Sequence, residues 1–101
     1  MKTSTFINVN APKLHMLLDS NRSAAHKPEL LDELSGLVGY ISDVAPATRE
    51  YGESLIEAAN RYYGPDAHQL ERTEQDHLAQ SMRTAISLIA TRSAAYARDG
   101  D

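Results

Sequence analysis

The fold is decided by residues 28–44, PELLDELSGLVGYISDV, in which apolar side chains recur at helical spacing. At about 100° per residue these apolar positions fall within an arc of roughly 140° on one side of a helix. The glycines and most of the acidic residues fall on the other side. The apolar positions are Leu30, Leu31, Leu34, Leu37, Val38, Ile41 and Val44. The pattern predicts an amphipathic helix over the whole stretch.

A further amphipathic segment covers about residues 47–63, after Pro46 ends the preceding helix. The residues that share its apolar face are Tyr51, Leu55, Ala58, Ala59 and Tyr62. The tripeptide Gly-Pro-Asp at 64–66 then predicts a turn, in which Gly64 adopts a positive φ and Pro65 prevents the helix from continuing.

The last segment, from Ala67 to about Arg98, contains neither glycine nor proline and predicts the longest helix. As one helix it would reach about 50 Å, roughly twice the length of the helices before it. Two solutions stay open. Residues 73–76, Thr-Glu-Gln-Asp, resemble a capping box that would break the helix. Alternatively, a second subunit covers the overhanging apolar stripe, which favours a homodimer.

Residues 1–9 lack a helical period and are predicted to form a flexible or extended arm. A short helix is expected after them, with Asn10 as its cap and Pro12 in its first turn. Residues 10–101 then form a single domain. The sequence therefore predicts an all-α fold, a three- to four-helix antiparallel bundle with a long C-terminal helix.

Composition limits the possible functions. Ten basic against 14 acidic residues give a formal net charge of −4, which argues against direct contact with nucleic acid or with an anionic membrane. The absence of cysteine excludes disulfides and thiolate metal sites. No apolar run approaches the roughly 20 residues of a membrane span, and no signal-peptide pattern is present. A cytoplasmic location is predicted, with export without a cleaved signal left open.

One short motif has a precedent in metal chemistry. Glu74 and His77 form a Glu-x-x-His pair, the spacing that di-iron helical bundles use to direct two ligands at one metal. A homodimer would supply the second motif, with Glu29 or Glu33 as the extra carboxylate. The motif resembles half of an encapsulated-ferritin-type site, a family in which subunits share the metal pair. The other interpretation is that Glu74 stabilises a helix start and faces solvent, so that the chain has no metal site.

The main hypothesis is a non-enzymatic one, with no catalytic residue and no cofactor. An exposed tyrosine is a suitable interface anchor, and an acidic surface complements a basic face of a partner protein. We therefore predict a small protein-binding inhibitor or modulator that masks a larger protein, of the antiactivator or phage- or plasmid-type. The residues predicted to contact the partner are Tyr40, Glu50, Glu53, Glu57, Met82 and Ile86.

Two family resemblances bear on this hypothesis. Residues 64–87 resemble the last helix of TraM, an antiactivator that binds and inactivates a quorum-sensing transcription factor. The matching residues are Gly64, Pro65, Leu70, Glu71, His77, Ser81, Ile86 and Ser87. The resemblance implies an all-helical protein that acts by binding a transcription factor.

A competing resemblance is to the small helical-hairpin substrates of type VII secretion. Tyr62-Tyr63-Gly64 is similar to the Trp-x-Gly turn of that family. The other matching positions are Val9, Leu14, Leu17, Ala24, Ala25 and the stretch LAQSMR at 78–83. This resemblance implies export and a heterodimer with a related helical chain.

Overall fold

The computed structural model describes the backbone of residues 3–100 and the side chains of residues 12–92. This part of the chain forms four α-helices and contains no β-strand, which confirms the predicted all-α class. The helices are α1 (Thr3–Ser20), α2 (Pro28–Val44), α3 (Arg49–Tyr62) and α4 (Arg72–Gly100). Single 3₁₀ turns at Pro46–Thr48 and Ala67–Gln69 precede α3 and α4.

Helix α2 has the bounds that its sequence predicts. Pro28 occupies the start of the helix, where a missing N–H has no intrahelical partner to lose. Pro46 follows the end and begins a 3₁₀ turn, which the Thr48 hydroxyl closes by donating a hydrogen bond of 2.8 Å to the Ala45 carbonyl. Helix α3 therefore begins at Arg49 rather than directly after the proline.

Helix α1 is longer than predicted. It begins at Thr3, so residues 3–9 are helical where the sequence predicted an extended arm. The prediction took a missing apolar period as a sign against helix. However, polar residues such as Thr, Ser and Asn lower helix propensity by less than about 1 kcal/mol each. The helix extends N-terminally from a second half that is anchored by the buried Leu14 and Leu18.

The turn after α3 needs its glycine for a reason other than the predicted one. No residue in the described backbone has a positive φ, so that expectation for Gly64 is wrong. A Cβ at this position would instead lie 2.0 Å from the carbonyl oxygen of Asn60. The chain passes too close to the last turn of α3 for any side chain to fit.

The long final segment is broken, but not at the predicted capping box. Leu70 is extended, and α4 begins at Arg72, which places Thr73 inside the helix. The side-chain amide of Gln75 reaches back and donates a hydrogen bond of 3.0 Å to the Leu70 carbonyl. Gln75, rather than Thr73, therefore satisfies a backbone group at this break.

All four helices contribute to one apolar cluster. α3 and α1 both pack on α4, and α2 packs on α3 and α1. The fully buried large side chains include Leu14, Leu34, Ile41, Leu55, Tyr63, Met82, Ile86 and Ile89. Along α4, apolar residues at helical spacing, Leu78, Met82, Ala85 and Ile89, are buried, whereas the Tyr96 side chain lies outside the described residues. None of the described helices has both the length and the apolar character that crossing a membrane requires.

Two adjacent tyrosines fix the connection between α1 and α2. The Tyr63 hydroxyl donates to the carbonyl of Asn21 at 2.6 Å, and the Tyr62 hydroxyl donates to the carbonyl of Arg22. The backbone N–H of Lys27 donates to the Tyr63 carbonyl at 2.9 Å. The two rings meet edge to face, with their centroids 4.9 Å apart. A segment with no helical pattern is thus held against the end of α3.

Burial of Tyr63 has a consequence at alkaline pH. Burial, and then the neighbouring Tyr62, raise the pKa of the Tyr63 hydroxyl above its ordinary value of about 10. The hydroxyl therefore stays protonated in the folded chain while it ionises in the unfolded one. Its contribution to stability is complete below about pH 10 and is lost as the pH rises further.

We expect Tyr63→Phe to lower the free energy of unfolding by about 1 kcal/mol at neutral pH, because the Asn21 carbonyl loses its donor. Above about pH 10 the stability of this variant should fall less steeply than that of the unmodified chain. Urea denaturation at a series of pH values measures both effects. Identical slopes above pH 10 in the two proteins would contradict the assignment to Tyr63.

Candidate functional site

The negative charge of the chain is concentrated on α2 and α3. Residues 28–62 contain seven acidic residues and two arginines, whereas the rest of the chain has seven acidic and eight basic residues. All seven acids are exposed: Glu29, Asp32, Glu33, Asp43, Glu50, Glu53 and Glu57. We call the exposed side of α2 and α3 that carries them the acidic face. The modest net charge of the whole chain therefore does not indicate how acidic this surface is.

The periodicity of α3 places three carboxylates together. Glu50, Glu53 and Glu57 are spaced three and four residues apart, so they project from one side of the helix. The opposite side of α3 is buried in the core. Among the described side chains, the ion pairs are Arg61–Glu74, Arg72–Asp76 and Arg83–Asp19. None of the three glutamates is neutralised by such a pair, and their exposure matches the prediction.

A groove of about 530 Å³ separates α2 from α3 within the acidic face. Val38 and Ile56 contribute apolar lining. The charged residues that line it are three carboxylates and one arginine: Asp43, Glu53, Glu57 and Arg49. The small residues that line it are Ser35, Gly39, Ser42 and Gly52. The groove thus combines a partly apolar channel with an acidic border.

The two glycines of the groove have different roles. A Cβ on Gly52 would lie 2.6 Å from Cγ1 of Val38, so glycine lets α3 approach α2 closely there. A Cβ on Gly39 would meet no atom within 4 Å, and this position leaves the channel open. Sequence analysis missed the groove. The available signal was the run of small residues at positions 35, 39 and 42, which share one side of α2.

Tyr40 lies on the outer side of α2, as predicted. Its side chain is 64% exposed, which is high for a large aromatic residue. Gly36 and Asp43 lie one helical turn before and after it. An aromatic ring is therefore presented on the exposed side of α2, one helical turn from Asp43.

Met82 and Ile86 do not belong to an exposed site. They were predicted as partner contacts, but they are 1% and 0% exposed in the core. The apolar stripe of α4 that contains them packs against α1 and α3. Their burial corrects that prediction, because neither side chain can reach a partner in this fold. Conversely, Met16 is 66% exposed.

The structure does not assemble the Glu-x-x-His pair into a ligand set. Glu74 accepts a hydrogen bond of 2.9 Å from Arg61, while His77 is exposed and lines a shallow groove beside Tyr51. Glu29 and Glu33 lie on the acidic face of α2. Within the described part of the chain, no three His, Asp or Glu side chains are grouped closely enough to hold a metal ion.

Compared with known protein families, with curated proteins and with solved structures, the chain shows no match. The resemblances to TraM and to type VII substrates stay predictions. Function is therefore inferred from the charge, shape and exposed side chains of the surface.

Proposed function

We propose that the chain is a small non-enzymatic inhibitor or modulator, which masks a basic helix on the surface of a larger protein. The observation that carries the proposal is the acidic face, whose seven carboxylates are exposed and three of which, Asp43, Glu53 and Glu57, line a partly apolar groove. Charge complementarity of this kind accelerates association and selects the partner. A groove between two helices suits a third helix laid into it.

Each part of the acidic face has a distinct role in this proposal. Ile56, which is partly exposed, contacts the apolar side of the partner's helix, while Glu53 and Glu57 pair with its basic residues. Tyr40 adds an aromatic anchor at the border, since tyrosine buries a large area and retains a polar tip. Gly39 adds no side chain to the channel, so a helix can approach the backbone of α2.

We also propose the finer architecture that this role requires. The four helices form an antiparallel bundle within a single domain, and the protein acts in the cytoplasm as a homodimer. Antiparallel packing of α2 and α3 is supported by two contacts. Lys27, which precedes α2, bonds to Tyr63, which follows α3, and Gly52 in the first turn of α3 meets Val38 in the second half of α2.

The test is a charge reversal on the acidic face. Glu53→Lys combined with Glu57→Lys should weaken partner binding by at least about tenfold, because close charge pairs across an interface are lost. Both positions are exposed, so the free energy of unfolding should change by no more than about 0.5 kcal/mol. A photo-crosslinking residue at position 40 identifies the partner in cells, and titration calorimetry of the purified pair measures affinity.

The matched control is Asp66→Lys combined with Glu71→Lys. It changes the net charge equally at exposed positions outside the acidic face, and it should leave the affinity within about twofold. The proposal fails if the control weakens binding as much as the test variant. It also fails if the crosslinked surface of the partner is acidic, or if a saturating amount of this chain leaves the partner's activity unchanged.

A further inference from the structure

A second cavity lies where the C-terminal ends of α1 and α3 meet the first turns of α4. Its volume is about 490 Å³, within the range of small-molecule sites. It shares no lining residue with the groove between α2 and α3. Nothing in the proposed protein-binding role uses it.

The charge around this cavity is opposite to that of the acidic face. Three arginines line it, Arg22, Arg72 and Arg83, together with the carboxylate of Asp76, and Asp19 lies beside it as the ion-pair partner of Arg83. They come from the α1–α2 connection, the first turn of α4 and the middle of α4. Only the folded chain brings the three together. The three arginines still outnumber the two carboxylates, which favours an anion at this position.

Arg83 is held in place beside the cavity. Its Nη2 donates a hydrogen bond of 2.9 Å to Oδ1 of Asp19, and its side chain is partly buried. The hydrogen bond from Arg83 also lowers the pKa of the Asp19 carboxyl below its ordinary value. A guanidinium has five N–H donors. The bond to Asp19 therefore orients Arg83 while leaving donors for a ligand.

The other two arginines are available as well. The shortest contact of Arg72 with Asp76 is 3.7 Å, too long for a hydrogen bond, and both side chains are largely exposed. Arg22 makes no ion pair among the described side chains, although its backbone carbonyl accepts the bond from Tyr62. A ligand would not have to break a strong internal contact of either one.

Part of the cavity lining is apolar and aromatic. Leu18, Tyr62, Tyr63 and Met82 contribute to it, and all four are buried. Their positions are fixed, because the tyrosine hydroxyls bond to the backbone of the α1–α2 connection. The cavity thus joins a rigid apolar surface to a cationic border, an arrangement typical of sites for organic acids.

We propose that this cavity binds a small molecule that carries one carboxylate or phosphate on a flat apolar body. The anionic group lies among the arginines, whose planar donors match the paired oxygens of either group. The apolar body packs against Ala79, which is partly exposed, and Tyr62. This site is independent of the proposed partner-binding role and can fail or succeed without it.

The first test titrates the full chain with four probes and monitors binding through the amide chemical shifts in NMR spectra. Phenyl phosphate and benzoate carry both features, inorganic phosphate lacks the ring, and benzyl alcohol lacks the charge. At least one aromatic anion should shift the signals of cavity residues saturably and bind at least about tenfold more tightly than either incomplete probe. Whether phenyl phosphate or benzoate binds more tightly shows which anionic group the site prefers.

The second test removes two of the arginines. Arg22→Gln combined with Arg72→Gln should weaken binding of the preferred aromatic anion by at least about tenfold. Arg49→Gln combined with Arg92→Gln removes the same charge at exposed positions that do not line the cavity, and it should leave the affinity unchanged. The proposal is overturned if neither aromatic anion binds saturably, if the shifts lie elsewhere, or if both double variants lose affinity equally.

Discussion

Replacing Gly64 with alanine is expected to lower the free energy of unfolding by about 3 kcal/mol, a large part of the stability of a small domain. The added Cβ would lie 2.0 Å from the Asn60 carbonyl oxygen, far inside van der Waals contact. Because this oxygen belongs to the backbone, it cannot rotate away as a side chain would. The turn itself must shift, and with it the adjacent Tyr63, which holds the α1–α2 connection.

Urea denaturation of Gly64→Ala measures the loss, and two other glycines of the chain provide the control. Gly36 and Gly39 lie inside α2, and a Cβ at either meets nothing within 4 Å. Their replacement by alanine should raise stability by about 0.5–1 kcal/mol, because alanine loses less backbone entropy in a helix. If Gly64→Ala were as harmless as these two, the close approach to Asn60 would not exist in solution.

Ile86→Ala should lower the free energy of unfolding by about 2–5 kcal/mol, because the side chain is fully buried and its removal leaves a cavity. Leu88→Ala is the matched control two residues along α4, where the side chain is 41% exposed. That change should cost less than about 1 kcal/mol. Thermal or urea unfolding of both variants gives the comparison.

The same pair of variants decides between the two roles considered for Ile86. A core residue affects stability, and any effect on partner binding follows from the fraction of unfolded chain. A residue that contacts a partner would affect affinity while the fold stays intact. Unchanged stability of Ile86→Ala together with lost binding would restore the role predicted from the sequence.

The sequence predicted α2 best, and the reason is local. Pro28 and Pro46 limit the helix by their own covalent geometry, and the apolar period between them shows which side is buried. The start of α1 and the role of Gly64 were missed because both depend on neighbouring structure. Helix propensities of polar residues differ too little to determine where α1 begins. The clash that a Cβ at position 64 would make with Asn60 cannot be deduced from the amino-acid composition.

The features of the candidate site that depend on a single helix could likewise be predicted, and those that depend on how the helices pack could not. Exposure of Glu53 and Glu57 follows from the period of α3 alone. An apolar stripe on α4, in contrast, fits a core and a docking surface equally well, so the burial of Met82 could not be deduced before the helices were placed. The position of Arg22 and Arg83 in one cavity is even harder to predict from sequence, because it depends on how α1 and α4 pack.

The bonds of the two tyrosines also imply an order of events as the chain folds. They join positions 40 and 42 residues apart, Tyr62 to Arg22 and Tyr63 to Asn21. Closing such long loops costs more entropy than forming α2 and α3, which are neighbours in the chain. The acidic face can therefore form early, from local contacts alone. The arginine cavity takes shape only when α1 has docked, so the two surfaces mature at different times.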